Sequence, residues 1–188
     1  SIIDELADSI NGKIIGNDTF FLNQDFTGRF TFINDSKKGD IVIRHWINGK
    51  GIEMAAAKEI ACLITQNPKD GAIEKANELN FPLIITDKIE LANAYGLKWT
   101  VNKFSPNSKN IVITGTNGKS TTSHLIYHIL KSAGYHAFTN TDSESEFNTL
   151  IDPMVSKLIS DEINENGKLD YLNRRSEERC VGKECRSR

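Results

Sequence analysis

The stretch that decides the fold is Ile111-Val112-Ile113-Thr114-Gly115-Thr116-Asn117-Gly118-Lys119-Ser120-Thr121. Its β-branched start predicts a strand, its two glycines a tight loop, and the residues after the loop an amphipathic helix. Glycine tolerates left-handed backbone conformations, so successive N–H groups of such a loop can point at one phosphate. The N-terminus of the helix adds the positive end of its dipole. The stretch therefore predicts a binding site for the phosphates of a nucleotide.

The predicted nucleotide-binding residues are Gly115, Thr116, Asn117, Gly118, Lys119, Ser120 and Thr121. Lys119 is the candidate catalytic residue because its side chain can reach the outer phosphates of a nucleoside triphosphate. Ser120 is the candidate metal ligand, since a hydroxyl at this position can bind Mg²⁺, although Thr121 could exchange roles with it.

The glycine spacing is shorter than in the common phosphate loop, which has four residues between its glycines. The residue six before Lys119 is Ile113 and not glycine. A strand-to-helix turn without a ligand is therefore the alternative. A Gly-Lys-Ser sequence between an apolar strand and a helix favours the phosphate site.

The last fourteen residues, Arg175 to Arg188, closely resemble the translation of a sequencing-adapter oligonucleotide, with one substitution at Cys180. We interpret residues 175–188 as a non-native tail and exclude them from fold reasoning. A zinc or redox pair at Cys180 and Cys185 is the alternative. The four intervening residues, the lack of a second pair and the lack of a nearby histidine in the sequence disfavour it.

Charge and hydropathy exclude several classes of protein. The chain has 188 residues and a net charge of −2. Without the tail it has 18 basic and 22 acidic residues, a net charge of −4, which does not indicate nucleic-acid binding. Cys62 lies in an apolar run and is predicted to be buried and inert, as suits a reducing cytosol. No apolar run reaches the roughly 18 residues of a membrane span, and the acidic start lacks the basic flank of a signal peptide. We expect a cytoplasmic protein with no membrane and no nucleic-acid partner.

Alternating short strands and helices predict an α/β fold with a mainly parallel sheet. The predicted strands are residues 13–15, 29–33, 41–44, 61–65, 83–86, 111–113 and 137–139, with another beginning at Leu169. The predicted helices are residues 2–10, 52–59, 71–80, 89–97, 119–134 and 150–164. The polar, proline-containing segment 105–110 is the predicted linker between a first domain, residues 1–104, and a second, residues 111–174.

The string T-G-T-N-G-K-S-T resembles the phosphate loop of the Mur ligase superfamily, ATP-dependent enzymes that form amide bonds in cell-wall peptides. The segment N-D-S-K-K-G-D-I-V-I is similar to a motif of the branch that adds the third residue to UDP-linked muramyl peptides. The later stretch T-N-T-D-S-E-S-E-F-N-T-L-I-D-P is more similar to archaeal ligases of pseudomurein synthesis. The resemblance spans about Asp4 to Leu172.

The resemblance implies a small N-terminal α/β substrate domain followed by the start of a P-loop-type, parallel-sheet ATPase domain. It implies ATP and Mg²⁺ as cofactors, and a UDP-linked peptide precursor and an amino acid as partners. Ser36 and Lys37 are candidates for holding the uridine nucleotide, although Lys37 stands where arginine is usual, and the two cations are not equivalent. A plain polar turn is the alternative there. Thr139, Asn140 and Thr141 are candidates for contacting the phosphates or the acceptor, or are loop residues without such contacts.

In such ligases a substrate carboxylate attacks the γ-phosphate of ATP to give an acyl phosphate, and an amine then displaces phosphate. The resemblance also leads one to expect a Mg²⁺-binding glutamate after the strand that begins near Leu169, and a C-terminal domain that selects the amino acid. Asp170 comes too early in that strand to replace the glutamate. We therefore expect a truncated second domain and a fragment that is inactive alone. A folylpolyglutamate-synthetase-like ligase and a non-catalytic nucleotide-binding module are the alternatives.

Overall fold

The computed structural model describes residues 2–16, 26–87, 89–113, 117–139 and 153–175. Within these residues the strands are β1 Lys13–Ile15, β2 Phe30–Thr31, β3 Ile41–Ile47, β4 Cys62–Pro68, β5 Leu83–Ile85, β6 Lys109–Ile113, β7 Ala137–Thr139 and β8 Tyr171–Arg175. The helices are α1 Ile2–Ser9, α2 Gly49–Ala57, α3 Ala72–Leu79, α4 Ile89–Phe104, α5 Lys119–Ser132 and α6 Pro153–Asn166. The strands form two sheets, which confirms the predicted α/β fold.

The first sheet has the order β1-β5-β4-β3-β2. Strands β2 to β5 are parallel, while β1 runs antiparallel to β5 at the edge. Helices α1 and α4 cover one face of the sheet, and α2 and α3 cover the other. The central strands are buried on both faces, which is why β3 and β4 begin with nearly continuous apolar runs. Cys62 lies in this core, and burial raises the pKa of its thiol.

Two predicted elements of the first sheet were wrong in extent. The strand predicted at residues 29–33 is only β2, because the chain bends into a 3₁₀ turn at Ile33–Asp35. The helix predicted at residues 89–97 continues as α4 to Phe104. Its extra turns carry Val101 and Phe104, which pack against the second sheet and its helix α6, so tertiary contacts extend the helix.

The second sheet has the order β6-β8-β7 and is parallel throughout. Its central strand β8 thus lies between the strand before the glycine loop and the strand that follows α5. The apolar stripe of α5, Leu125, Ile126, Ile129, Leu130 and Ala133, does not pack on the sheet as a whole. Leu125 and Ile129 are 59% and 58% exposed, and Ala133 is also exposed. Helix α5 turns the small, buried Ser123 towards the sheet instead.

The segment predicted as a linker is short and ordered. Strand β6 already begins at Lys109, inside the predicted range 105–110. Ser105 is buried, and its Oγ accepts a hydrogen bond of 3.0 Å from the N–H of Leu169. An apolar cluster joins α4 to α6 and β8; its buried members are Leu97, Val101, Ile159, Ile163, Leu169 and Leu172. The domain boundaries themselves stay predictions.

None of the described helices is both long and apolar enough to cross a membrane.

Candidate functional site

The glycine loop lies at the carboxyl end of β6. The strand ends at Ile113, and Thr114, Gly115 and Thr116 lie outside the described residues. Asn117 and Gly118 are described, and both are exposed. Because β6 and β8 are parallel, with Ile113 opposite Arg175, the loop leaves the sheet beside the carboxyl end of β8. Ligands of open α/β sheets bind at this edge.

Gly118 sets the direction of the chain into α5. It is the residue before the helix and has a left-handed backbone, with φ of 74°. The N–H of Thr122 donates to its carbonyl oxygen over 2.9 Å, which closes the first helical turn. A Cβ at this position would meet no atom within 4 Å, so the backbone angle, and not lack of space, requires glycine here.

The N-terminus of α5 has the character of an anion site. Its N-cap residue, Gly118, has no side chain to cap it, and its first turn holds no acidic residue. The positive end of the helix dipole is therefore not offset by a carboxylate from its own first turn. A phosphate group fits such a helix end, because the first amides of a helix have no intrahelical acceptor.

The predicted side chains follow on this first turn. Lys119 and Ser120 are half-buried, and Thr121 is exposed. Successive helix residues point about 100° apart, so the two hydroxyls leave the helix in different directions. The structure brings Asn117, Gly118, Lys119, Ser120 and Thr121 together at one helix end.

A small buried network holds α5 on the sheet. The hydroxyls of Ser123 and Thr139 lie 3.2 Å apart, and Asn173 Nδ2 donates to the Ser123 carbonyl over 2.7 Å. All three side chains are buried. Sequence reasoning missed Ser123 and Asn173. The available signal was an asparagine in the middle of a strand, where an amide must find a partner.

Thr139 is therefore engaged with α5 from the end of β7. Its hydroxyl has a structural contact, and a role towards substrate stays a prediction. Asn140 and Thr141 lie outside the described residues.

Ser36 and Lys37 lie in the connection between β2 and β3. The Ser36 hydroxyl is buried and donates to the carbonyl of Ile33 over 2.7 Å. The N–H of Lys37 donates to Asp40 Oδ2 over 2.9 Å, while the Lys37 side chain is exposed. Both contacts are those of a well-ordered polar turn, so they give no independent support to nucleotide binding.

Trp46 is a surface residue that sequence reasoning did not single out as part of a site. It is 43% exposed near the carboxyl end of β3. Arg44 and Lys69 lie over its ring, at 5.3 and 5.5 Å from the centroid. An exposed aromatic ring accompanied by two cations suits a ligand with both a flat ring and negative charge. Trp99, in contrast, packs edge-on against Phe26 as expected of a packed residue.

The described residues contain no cluster of three or more histidine, cysteine, aspartate or glutamate side chains that could hold a metal ion. His124 and His128 lie on α5, half-buried and exposed respectively. A Mg²⁺ site built by protein and phosphate oxygens together, as predicted for Ser120, does not require such a cluster.

Comparison with known proteins adds the decisive observation. Residues 113–169, from the end of β6 through α6, match the model of the Mur ligase middle domain. The resemblance to the Mur ligase superfamily that was predicted from the phosphate loop is confirmed over these residues. The pseudomurein branch stays a prediction.

Curated relatives match this chain over a short stretch. UDP-N-acetylmuramoylalanine–D-glutamate ligases of Rhizobium johnstonii and Rhizobium etli are 71% identical over 31 residues, which is 16% of this chain and 7% of theirs.

Two solved structures share its fold. MurF from Acinetobacter baumannii is 16% identical, with a TM-score of 0.57 over 92% of this chain and 35% of its own. MurF from Thermotoga maritima, in complex with ADP, is 17% identical, with a TM-score of 0.54 over 81% and 33%. The chain thus spans about a third of the length of these structures.

Proposed function

We propose that this Mur ligase sequence is the substrate-binding and ATP-binding part of an amide-bond ligase of cell-wall precursor synthesis. The ligase adds an amino acid to a UDP-linked peptide through an acyl phosphate. The observation that carries the proposal is the N-terminus of α5, which lacks acidic residues in its first turn and is entered through the left-handed Gly118 after β6. The family match over residues 113–169 supports the reaction class.

In the proposed reaction the loop and the first turn of α5 hold the phosphates. Negative charge develops on the transferred phosphoryl group, so catalysis depends on donors and cations fixed in position. Lys119 supplies a cation at this helix end, and the loop amides with the helix dipole supply partial positive charge. Ser120 is the residue we assign to Mg²⁺, which neutralises phosphate charge when bound.

The order of the second sheet supports the same site. Because β8 lies directly beside β6, a carboxylate at the carboxyl end of β8 would stand next to the phosphate loop. That is where the family resemblance places a metal-binding glutamate.

For the acceptor we propose the first sheet. Trp46, with Arg44 and Lys69 over its ring, offers stacking and positive charge to a base-bearing, anionic precursor. This chemistry suits a nucleotide-linked peptide. The amino acid added is not assigned.

Titration calorimetry with Mg-ATP tests the nucleotide site. We expect Lys119→Ala to weaken ATP binding at least tenfold, about 1.4 kcal/mol, because it removes a cation from the phosphates. Lys131→Ala is the matched control. Lys131 lies in the last turn of the same helix, where its ammonium group is 5.2 Å from the centre of the Tyr127 ring, and its loss should leave ATP affinity unchanged. Equal affinity for wild type and Lys119→Ala would refute the phosphate site.

Phosphate release from ATP tests the substrate class, in a protein of the relatives' length that carries these residues. We expect release with UDP-linked peptides plus an amino acid, and none with folates plus glutamate. Release with folates alone would overturn the acceptor assignment. ATP binding without release under either condition would favour a non-catalytic nucleotide-binding module.

A further inference from the structure

The junction between the two sheets combines an apolar cluster with one buried group of charges. The apolar part joins α4 to α6 and β8. The charged group lies where the start of β2 meets α6, and we name its four members the junction cluster: Arg29, Asp40, Lys157 and Asp161. Arg29 and Asp40 belong to the first sheet and its loops, and Lys157 and Asp161 belong to α6.

Arg29 is the cation between the two carboxylates. Its Nε lies 3.4 Å from Asp40 Oδ2 and 3.0 Å from Asp161 Oδ1. The side chains of Arg29, Asp40 and Asp161 are 16%, 1% and 18% exposed. Neither Arg29 Nε nor Asp161 Oδ1 makes an aligned hydrogen bond within the described residues, so their contact is one between charges.

Each of the two carboxylates also has partners on its own side of the junction. Asp40 accepts hydrogen bonds from the N–H of Lys37 and the hydroxyl of Thr27, at 2.9 and 2.8 Å. On α6, Lys157 Nζ lies 2.9 Å from Asp161 Oδ2, one helical turn away. Arg29 is the link that joins these two fixed points across the junction.

The burial of Asp40 makes its contact with the Arg29 guanidinium group important. Burial raises the pKa of Asp40, with the Asp161 charge acting in the same direction, against the lowering effects of Lys37, Thr27 and Arg29. Without Arg29 the two carboxylates would face each other with less compensation. The apolar cluster, in contrast, is held by contacts that are not directional, and the Ser105–Leu169 hydrogen bond fixes only the end of α4. The guanidinium group therefore has the geometry to select one orientation.

We propose that Arg29 is a positioning residue: by bridging Asp40 and Asp161 it fixes the orientation of the first sheet relative to α6 and the phosphate loop. Its importance for turnover rests on the proposed ligase function, because acceptor and ATP must meet with reacting atoms at contact distance. The orientation itself does not depend on that function and can be measured alone.

The test is a spin-label distance measurement on the whole 188-residue chain. Labels are placed at Met54→Cys on α2 and Ser132→Cys on α5, both exposed positions, in a background with Cys180→Ser and Cys185→Ser. Arg29→Met removes the charge but keeps most of the side-chain length. Arg29→Lys keeps the charge but not the fork. The matched control is Lys103→Met, which breaks an exposed 2.9 Å ion pair with Glu5 between α4 and α1, both of which cover the first sheet.

We expect Arg29→Met to broaden the distance distribution and shift its maximum, with a smaller shift in Arg29→Lys and none in Lys103→Met. If Arg29→Met does not fold, Arg29→Lys and Asp161→Asn give the same comparison. Distributions identical to wild type in these folded variants would overturn the proposal.

The kinetic readout separates positioning from binding. In an active full-length ligase, Arg29→Met should lower kcat at least tenfold with the KM for ATP unchanged, since the phosphate loop is not touched. A raised KM for ATP with an unchanged kcat would contradict positioning. A wild-type chain that binds no ATP would refute the proposed function and leave the distance result intact.

Discussion

Thr139→Val tests whether the buried hydroxyl pair under α5 holds the helix on the sheet. Valine matches threonine in shape but cannot hydrogen-bond to the Ser123 hydroxyl, 3.2 Å away. Ser123 is 0% exposed, so water cannot easily replace the lost partner. A buried hydroxyl left without its partner costs about 1–3 kcal/mol. We expect a destabilisation near the lower end of this range, about 1 kcal/mol, because the Ser123 hydroxyl can turn and donate to a backbone carbonyl of its own helix.

The assay is a double-mutant cycle with Ser123→Ala, followed by thermal and urea unfolding. For a chain of 188 residues, 1 kcal/mol corresponds to a fall in Tm of about 2–4 °C. The double variant removes both hydroxyls, so it should be less destabilised than the sum of the single variants. We expect a coupling energy of about 0.5–1 kcal/mol.

The cycle also distinguishes the structural role of Thr139 from the predicted substrate role. A structural hydroxyl predicts coupling to Ser123 and similar ATP affinity in Thr139→Val and in the double variant. Additive free energies, within about 0.3 kcal/mol, would refute the energetic importance of the contact. A large loss of ATP affinity in Thr139→Val that Ser123→Ala does not share would instead favour direct contact with the phosphates.

Two further predictions concern a backbone angle and a pH dependence. Gly118→Ala should cost about 1 kcal/mol of stability and weaken ATP binding in calorimetry. Gly134, which follows the same helix, also has a left-handed backbone, with φ of 88°, so Gly134→Ala should cost as much stability but leave ATP affinity unchanged. Equal losses of affinity in the two variants would contradict a phosphate-specific role for Gly118. Burial lowers the pKa of His136, but the Glu162 carboxylate at 2.7 Å, the Lys168 carbonyl and Asp170 raise it above its usual value. Protonated His136 therefore stabilises the folded protein fully at pH values below the pKa that His136 has in the unfolded chain. This stabilisation is lost as the pH rises through the pKa of His136 in the folded protein. In NMR titrations Glu162→Gln should lower the pKa of His136, and in melts it should flatten this pH dependence; an unchanged pKa would disprove the pairing.

The strand end and helix start that flank the predicted phosphate loop could be located from sequence because their determinants are local. Gly118 and Lys119 act through backbone conformation and position on one helix end, and their neighbours in sequence supply the strand and helix around them. The same holds for the central strands β3 and β4, whose apolar runs are buried on both faces. Only their lengths differed from the prediction, since strand ends depend on pairing partners.

The buried network and the exposed aromatic residue could not be predicted in the same way. Asn173 acquires its role only because β8 is placed between β6 and β7, which brings its amide to the Ser123 carbonyl. Trp46 is exposed although Ile47, the next residue of β3, is buried against α2 and α3. Composition favours burial of tryptophan, and only tertiary structure shows which one remains at the surface.

The junction illustrates why the proposed ligase activity could not be predicted from the phosphate loop alone. Arg29 and Asp161 are 132 positions apart in sequence, and neither belongs to a recognisable motif. A loop can stabilise charge on a phosphate by itself, but formation of an acyl phosphate also requires a carboxylate brought to that phosphate from another part of the protein. That second requirement is met by relative orientation, which arises from contacts between distant segments such as β2 and α6. Variation at Arg29 is therefore expected to alter turnover without altering the motif by which the family is detected.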